Sequence, residues 1–150
     1  MKQLPKARQI IEDLLFGQSL AVLATHNKAG PHASLVAFAA TDDLKHLLFA
    51  TSRATRKFAN LTSDPRVVLL LDNRANRESD FRDAAAATVV GTAEEVASAK
   101  RECFLPIYTG KHPYLIEFVN SPACALLKVQ VQKYCIATRF QKVTEYRITS

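Results

Sequence analysis

A chain of 150 residues suffices for one domain with a substantial core, and 48% apolar with 23% charged residues is a globular composition, so a single domain over 1–150 is expected. A formal net charge of +6 leaves open an anionic cofactor, a nucleic acid or an acidic partner. Cys103, Cys124 and Cys135 form no C-x-x-C, which excludes a disulfide framework and a zinc site, and they read as reduced core thiols of a cytoplasmic protein.

No segment has the length or purity of a membrane span, and Glu12 and Asp13 interrupt the first apolar stretch, which argues against a signal peptide. Residues 5–16 carry Ile10, Ile11, Leu14 and Leu15 on one helical face, and Gly17 stands where a C-terminal cap belongs. Ser19 to Thr25 reads as a buried strand, residues 26–31 as a turn, Ala33 to Ala40 as a second strand and His46 to Thr51 as a third. The second strand is apolar on both faces, so one face is expected to meet the barrel interior and the other a partner chain or the terminal helices.

Thr55 can cap a short helix from Arg56 to Leu61, which Asp64-Pro65 ends. Val67 to Asp72 is a strand, residues 73–83 an arginine-rich loop expected to be mobile, and Ala84 to Val96 a long strand with Gly91 as a bulge or bend. Residues 97–119 read as two helical pieces broken around Thr109-Gly110 and Pro113; Ala123 to Gln132, Lys133 to Thr138 and Val143 to Ile148 read as the last strands. The fold class is mainly β (α+β): an antiparallel barrel of six to eight strands, closed or nearly so, with flanking short helices.

The chemically richest stretch is Phe49-Ala-Thr-Ser-Arg-Ala-Thr-Arg-Lys57. A strand ends, a hydroxyl-rich turn follows, and a helix opens on two cations. Free amides, hydroxyls and fixed positive charge at one point suit a phosphate group. Nucleic acid is disfavoured, because the strands beside this turn offer few aromatic platforms beyond Phe38 and Phe49 and the chain has no tryptophan. The histidines show no metal-ligand spacing, so no metal site is expected. Glu94 and Glu95 point to opposite faces of a strand and are no catalytic pair, and no catalytic residue emerges.

Three segments, Gly30-Pro-His-Ala-Ser-Leu-Val-Ala-Phe38, Leu48 to Lys57 and Asn60-Leu-Thr-Ser-Asp-Pro-Arg-Val68, resemble in order and spacing the FMN-binding split-barrel superfamily related to pyridoxamine 5′-phosphate oxidase. The match runs from about Leu20 to Val96. The resemblance implies FMN held at a homodimer interface. It implies that Arg56 and Lys57 meet the phosphate with Thr55 close by, and that Ala50 and Thr51 lie along the ribityl chain. Ser34, Leu35 and Val36 would lie against the ring, largely through backbone groups.

Two departures are visible. Ala33 stands where the oxidase has an arginine, with Arg53 as the nearest replacement charge, and the oxidase's basic, histidine-containing C-terminal segment has no clear counterpart beyond Arg139 and Arg147. The resemblance therefore implies a flavin-dependent oxidoreductase acting on a small-molecule substrate, with a nicotinamide electron donor as one option, rather than the oxidase itself. A related flavin or a deazaflavin could replace FMN. The alternative is a non-catalytic carrier or sensor of the same fold holding flavin or haem, with His32 as the axial candidate.

Overall fold

The computed structural model describes residues 3–149, with side chains from Lys6 onward. Helix α1 (Gln3–Gly17) buries Ala7, Ile11, Leu14 and Leu15, the stripe its apolar spacing requires. A meander follows: β1 (Leu20–Asn27), β2 (Gly30–Ala40) and β3 (His46–Ser52). The β1–β2 turn is tighter than the expected 26–31. Only Lys28 and Ala29 lie outside the ladder, with Gly30 at φ 115° and the Ala29 amide donating to Asn27 Oδ1 at 2.8 Å.

Helix α2 (Arg56–Ser63), strand β4 (Arg66–Asp72), the single turn α3 (Asp80–Asp83) and strand β5 (Ala85–Glu95) come next. Helices α4 (Arg101–Lys111) and α5 (Ile116–Asn120) precede β6 (Cys124–Thr138) and β7 (Lys142–Arg147). No helix among the described residues is long and apolar enough to cross a membrane.

The strands are hydrogen-bonded in the order β3-β2-β1-β4-β5-β6-β7, every pairing antiparallel, and β3 also pairs with β6. That second pairing closes six strands into a barrel and leaves β7 outside it. The first half of β6 holds β3 and the second half holds β7, so one strand of 15 residues replaces the two expected between 123 and 138. Alternate side chains point inward and make the core, with Leu23, Phe38, Phe49, Leu69, Val89, Val129 and Tyr134 fully buried.

Gly91 marks a register shift, as expected, but the extra residue, Gln132, is on β6. A side chain at Gly91 would put its Cβ 2.3 Å from the Gln130 carbonyl oxygen, so glycine is what lets the two strands close.

Other expectations need correction. Residues 73–83, read as one loop, end in the helical turn α3 and carry their own hydrogen bonds: Asp80 accepts the amides of Ala75 and Arg77, and Asn73 Oδ1 accepts that of Ala85. Short carboxylate-capped turns of this kind carry no hydrophobic period, so the sequence showed only polarity. The helical region breaks at His112-Pro113; Gly110 stays inside α4. Cys103 is exposed, and only Cys124 is a fully buried thiol.

Candidate functional site

The turn between β3 and α2 is built from hydroxyls. Thr51 and Thr55 Oγ1 lie 2.8 Å apart, and Thr55 Oγ1 donates to the Ser52 carbonyl at 3.0 Å. Thr55 is the N-cap of α2, accepting the Phe58 amide at 3.3 Å. The amides of Arg56 and Lys57 then have no acceptor among the described residues, and both point out of the helix's positive end. Among the described residues neither the Arg56 nor the Lys57 side chain forms an ion pair.

Helix α2 is fixed in place by a polar cluster that sequence reasoning missed. Asn60, 1% exposed, donates to Thr25 Oγ1 at 3.0 Å and accepts from the Asn27 side chain, tying the helix to β1. The available signal was a polar residue next to Leu61 on the inward face of a short helix.

The barrel is split beside this turn. The β2–β3 ladder covers only Phe38–Ala40 against Leu47–Phe49 and then stops. Extended by register, Thr51 would face Val36 and Ser52 would face Leu35, but β3 turns instead to β6, pairing Thr51 with Ala125 and Ser52 with Cys124. Residues 34–36 of β2 are therefore held by β1 on one side and have no strand on the other. The Phe38 amide donates to the Ser19 carbonyl and the Thr41 amide to that of His46, so even-numbered residues of β2 face β1 and odd-numbered ones the split. There the Leu35 N–H and C=O are open, whereas the Ala37 carbonyl is taken by Tyr108 Oη at 3.4 Å.

The expected flavin residues thus flank one opening, in different ways. Val36 and Ala50 are buried and offer only backbone, while the Leu35 side chain is 66% exposed. Ser34 Oγ is buried without a partner, an orphaned polar atom on this strand. A phosphate at the α2 end and polar ring atoms at the β2 edge fit these residues.

The remaining cations divide sharply. Arg53, the expected substitute for the missing arginine, donates to both carboxylate oxygens of Glu95 at 2.6 and 2.8 Å and so is committed elsewhere; the pairing holds the Glu95 carboxyl below its usual range. Arg66 likewise holds the Asp64 carboxyl down to about 2. Arg74 pairs with Asp72 at 3.3 Å, and Arg147 with Glu145 at 3.2 Å. Lys111 is a third case. It lies 3.9 Å from the centre of the Phe38 ring and donates to the Leu15 carbonyl, and burial lowers its pKa to about 8. Among the described residues no cluster of metal-ligating side chains occurs, and His112 serves the Phe38 carbonyl.

No curated protein matches this chain in sequence. Solved structures share its fold. A haem-binding protein from Mycobacterium smegmatis superimposes with a TM-score of 0.76 at 16% identity over 89% of this chain; the chain spans only 55% of that protein. An FAD-binding protein from Mesorhizobium loti gives 0.68 at 14% identity, covering 85% of this chain and 91% of the other. General Stress Protein 26 from Bacillus anthracis gives 0.68 at 20% identity, covering 95% and 98%. The fold is thus one whose solved members include flavin- and haem-binding proteins. The model of the pyridoxamine 5′-phosphate oxidase family matches residues 5–133, and with the split barrel and the α2 turn in place the chain belongs to that family.

Proposed function

We propose that the protein binds FMN at the split and works as a flavin-dependent oxidoreductase on a small molecule. The observation that carries this reading is the α2 turn: two cations and two amides without partners, beside the open edge of β2. Arg56 and Lys57 hold the phosphate, each charge-assisted hydrogen bond contributing about 1.5–3 kcal/mol. The Thr51–Thr55 hydroxyl pair fixes the turn and so the direction of both cations. Ala50 and Thr51 border the ribityl chain, and the β2 edge at Ser34, Leu35 and Val36 meets the polar edge of the ring, through the Leu35 backbone and Ser34 Oγ. FMN when bound supplies the two-electron chemistry; the protein supplies binding and orientation.

The site is completed by a second copy of the chain. Leu35, Val22 and Leu70 form one row across β2, β1 and β4 on the outer face, and Ala33, Ala24 and Val68 form the next. Leu20, Leu35 and Leu70 are 53%, 66% and 44% exposed. Helix α4 covers only the C-terminal half of β2, through Tyr108 and Ala39, so the half bearing Ser34–Val36 is left for a partner. A nicotinamide donor is the reductant this reading favours.

A second reading keeps the fold and drops turnover: a carrier or sensor of flavin or haem. The likeness to the mycobacterial haem-binding protein supports it, with the half-buried His32 at the start of β2 as axial ligand.

The test is the visible spectrum of the purified protein, repeated after adding FMN and desalting, followed by addition of a nicotinamide donor. A retained flavin band bleached by the donor is the expected result. A retained band that no donor bleaches supports the carrier, a haem-type band promotes His32, and no retained chromophore removes both readings.

A further inference from the structure

A second concentration of cations lies at the opposite end of β6 from the α2 turn. Lys6, Arg82, Arg139 and Lys142 line one recess of about 400 Å³ between α1, α3 and the β6–β7 hairpin, with Thr138 and Thr144. Asp83 is its only carboxylate and is paired with Arg82 at 3.1 Å. Lys6, Arg139 and Lys142 have no ion-pair partner among the described residues. All four cations are exposed, so water screens them from one another, and together they leave the recess with a net positive charge open to an anion.

The hairpin tip reinforces this. Arg139 and Phe140 both have positive φ, 49° and 70°, and the Gln141 amide closes onto the Arg139 carbonyl at 2.8 Å, a γ-turn about Phe140. Positions like these favour glycine or asparagine, and a bulky residue there is strained. The side chains explain the choice. Arg139 lines the basic recess, while Phe140 stacks on Phe81 with ring centres 4.9 Å apart. Both rings remain about two-thirds exposed, at 66% and 62%. They line an adjoining recess of about 730 Å³ floored by Ala85, Ala86 and Ala137, whose other side carries Asp72, Glu78 and Asp80 with Arg74 and Arg77, and Ala84 belongs to both recesses. The carboxylates keep a phosphate at the basic recess and leave the aromatic side to the apolar body.

We propose that these joined recesses form a second ligand site, for a small molecule carrying a phosphate group on a flat apolar body. The phosphate sits among Arg139, Lys142, Lys6 and Arg82, with the hydroxyls of Thr138 and Thr144 as further donors. The body lies against Phe81 and Phe140 over the alanine floor. Both recess sizes are in the usual range for small ligands.

The experiment uses the full chain carrying Arg56→Ala and Lys57→Ala, which removes the α2 phosphate site. Calorimetric titration with 1-naphthyl phosphate and with inorganic phosphate reads the second site alone. One saturable site is expected, about tenfold tighter for 1-naphthyl phosphate. Adding Arg139→Ala or Lys142→Gln weakens both ligands by about tenfold, whereas Phe140→Ser removes only the preference for the aryl ester. The paired lysine and arginine variants guard against one that fails to fold. Absence of saturation by both ligands, binding unchanged by Arg139→Ala and Lys142→Gln, or equal affinity for the two ligands would each overturn the proposal.

Discussion

Arg56 and Lys57 at the start of α2 have no carboxylate partner among the described residues, whereas Arg53 and Arg66, three residues before Arg56 and three residues beyond Ser63, are each bound to one. In the sequence all four belong to one basic stretch. The structure separates them by what they face. Arg53 and Arg66 are satisfied within the fold, at exposed pairs that contribute little to stability. The two at the helix start add their charge to unfilled amides and leave the neutralisation to a ligand. Charge density along the chain therefore marks a region, and the lack of a partner marks the site within it.

The comparison breaks first at the free pair. Arg56→Ala with Lys57→Ala is expected to weaken FMN binding by about 100-fold in a fluorescence titration, with the melting temperature nearly unchanged. Arg66→Ala is expected to change it by less than about twofold. An equal loss in the two variants would erase the distinction. Next in size is the anchor beneath the helix. Asn60→Ala leaves Thr25 and Asn27 without their shared partner and is expected to cost about 2 kcal/mol in urea denaturation.

The buried cation Lys111 sharpens the contrast through pH. Its folded pKa of about 8 lies below the ordinary 10.5, so between these values the unfolded chain binds more protons than the folded one. Stability from this group therefore rises with pH from about 8 towards 10.5. The rise is expected to be below about 1 kcal/mol per pH unit, since the group is only partly buried, and absent in Lys111→Met. Comparing the two proteins isolates it from Tyr108 and Tyr134, whose phenols burial raises, so that their effects begin only above pH 10. The smallest effect is expected from Glu95→Gln, which frees Arg53 beside the turn. FMN affinity should rise about two- to threefold at low salt, a gain that high salt removes.

The fold was largely legible because its signals are local. The α1 stripe, the Thr55 cap and the Asp64-Pro65 stop are written within a few residues, and α2 follows from them. Gly91 was readable as an irregularity, but which strand carries the extra residue depends on β6, far away in the chain. The site was legible in its phosphate half, where cations and cap are adjacent in sequence. Its other half was not readable from spacing. The opening at Ser34–Val36 exists because β3 leaves β2 for β6, and the orphaned Ser34 hydroxyl lies on the same stretch of β2. Arg53 was misplaced for the same reason: its partner Glu95 lies at the far end of β5.

The central claim is that Arg56 and Lys57 hold a ligand's phosphate. It is tested most directly by titrating FMN and riboflavin, which differ by that phosphate alone, into the natural protein and into the Arg56→Ala/Lys57→Ala variant. The account predicts that the natural protein prefers FMN by about 100-fold and that the variant, once Arg139→Ala also removes the second phosphate recess, binds the two nearly alike. A preference for FMN that survives undiminished in the variant would contradict it and place the phosphate elsewhere on the chain.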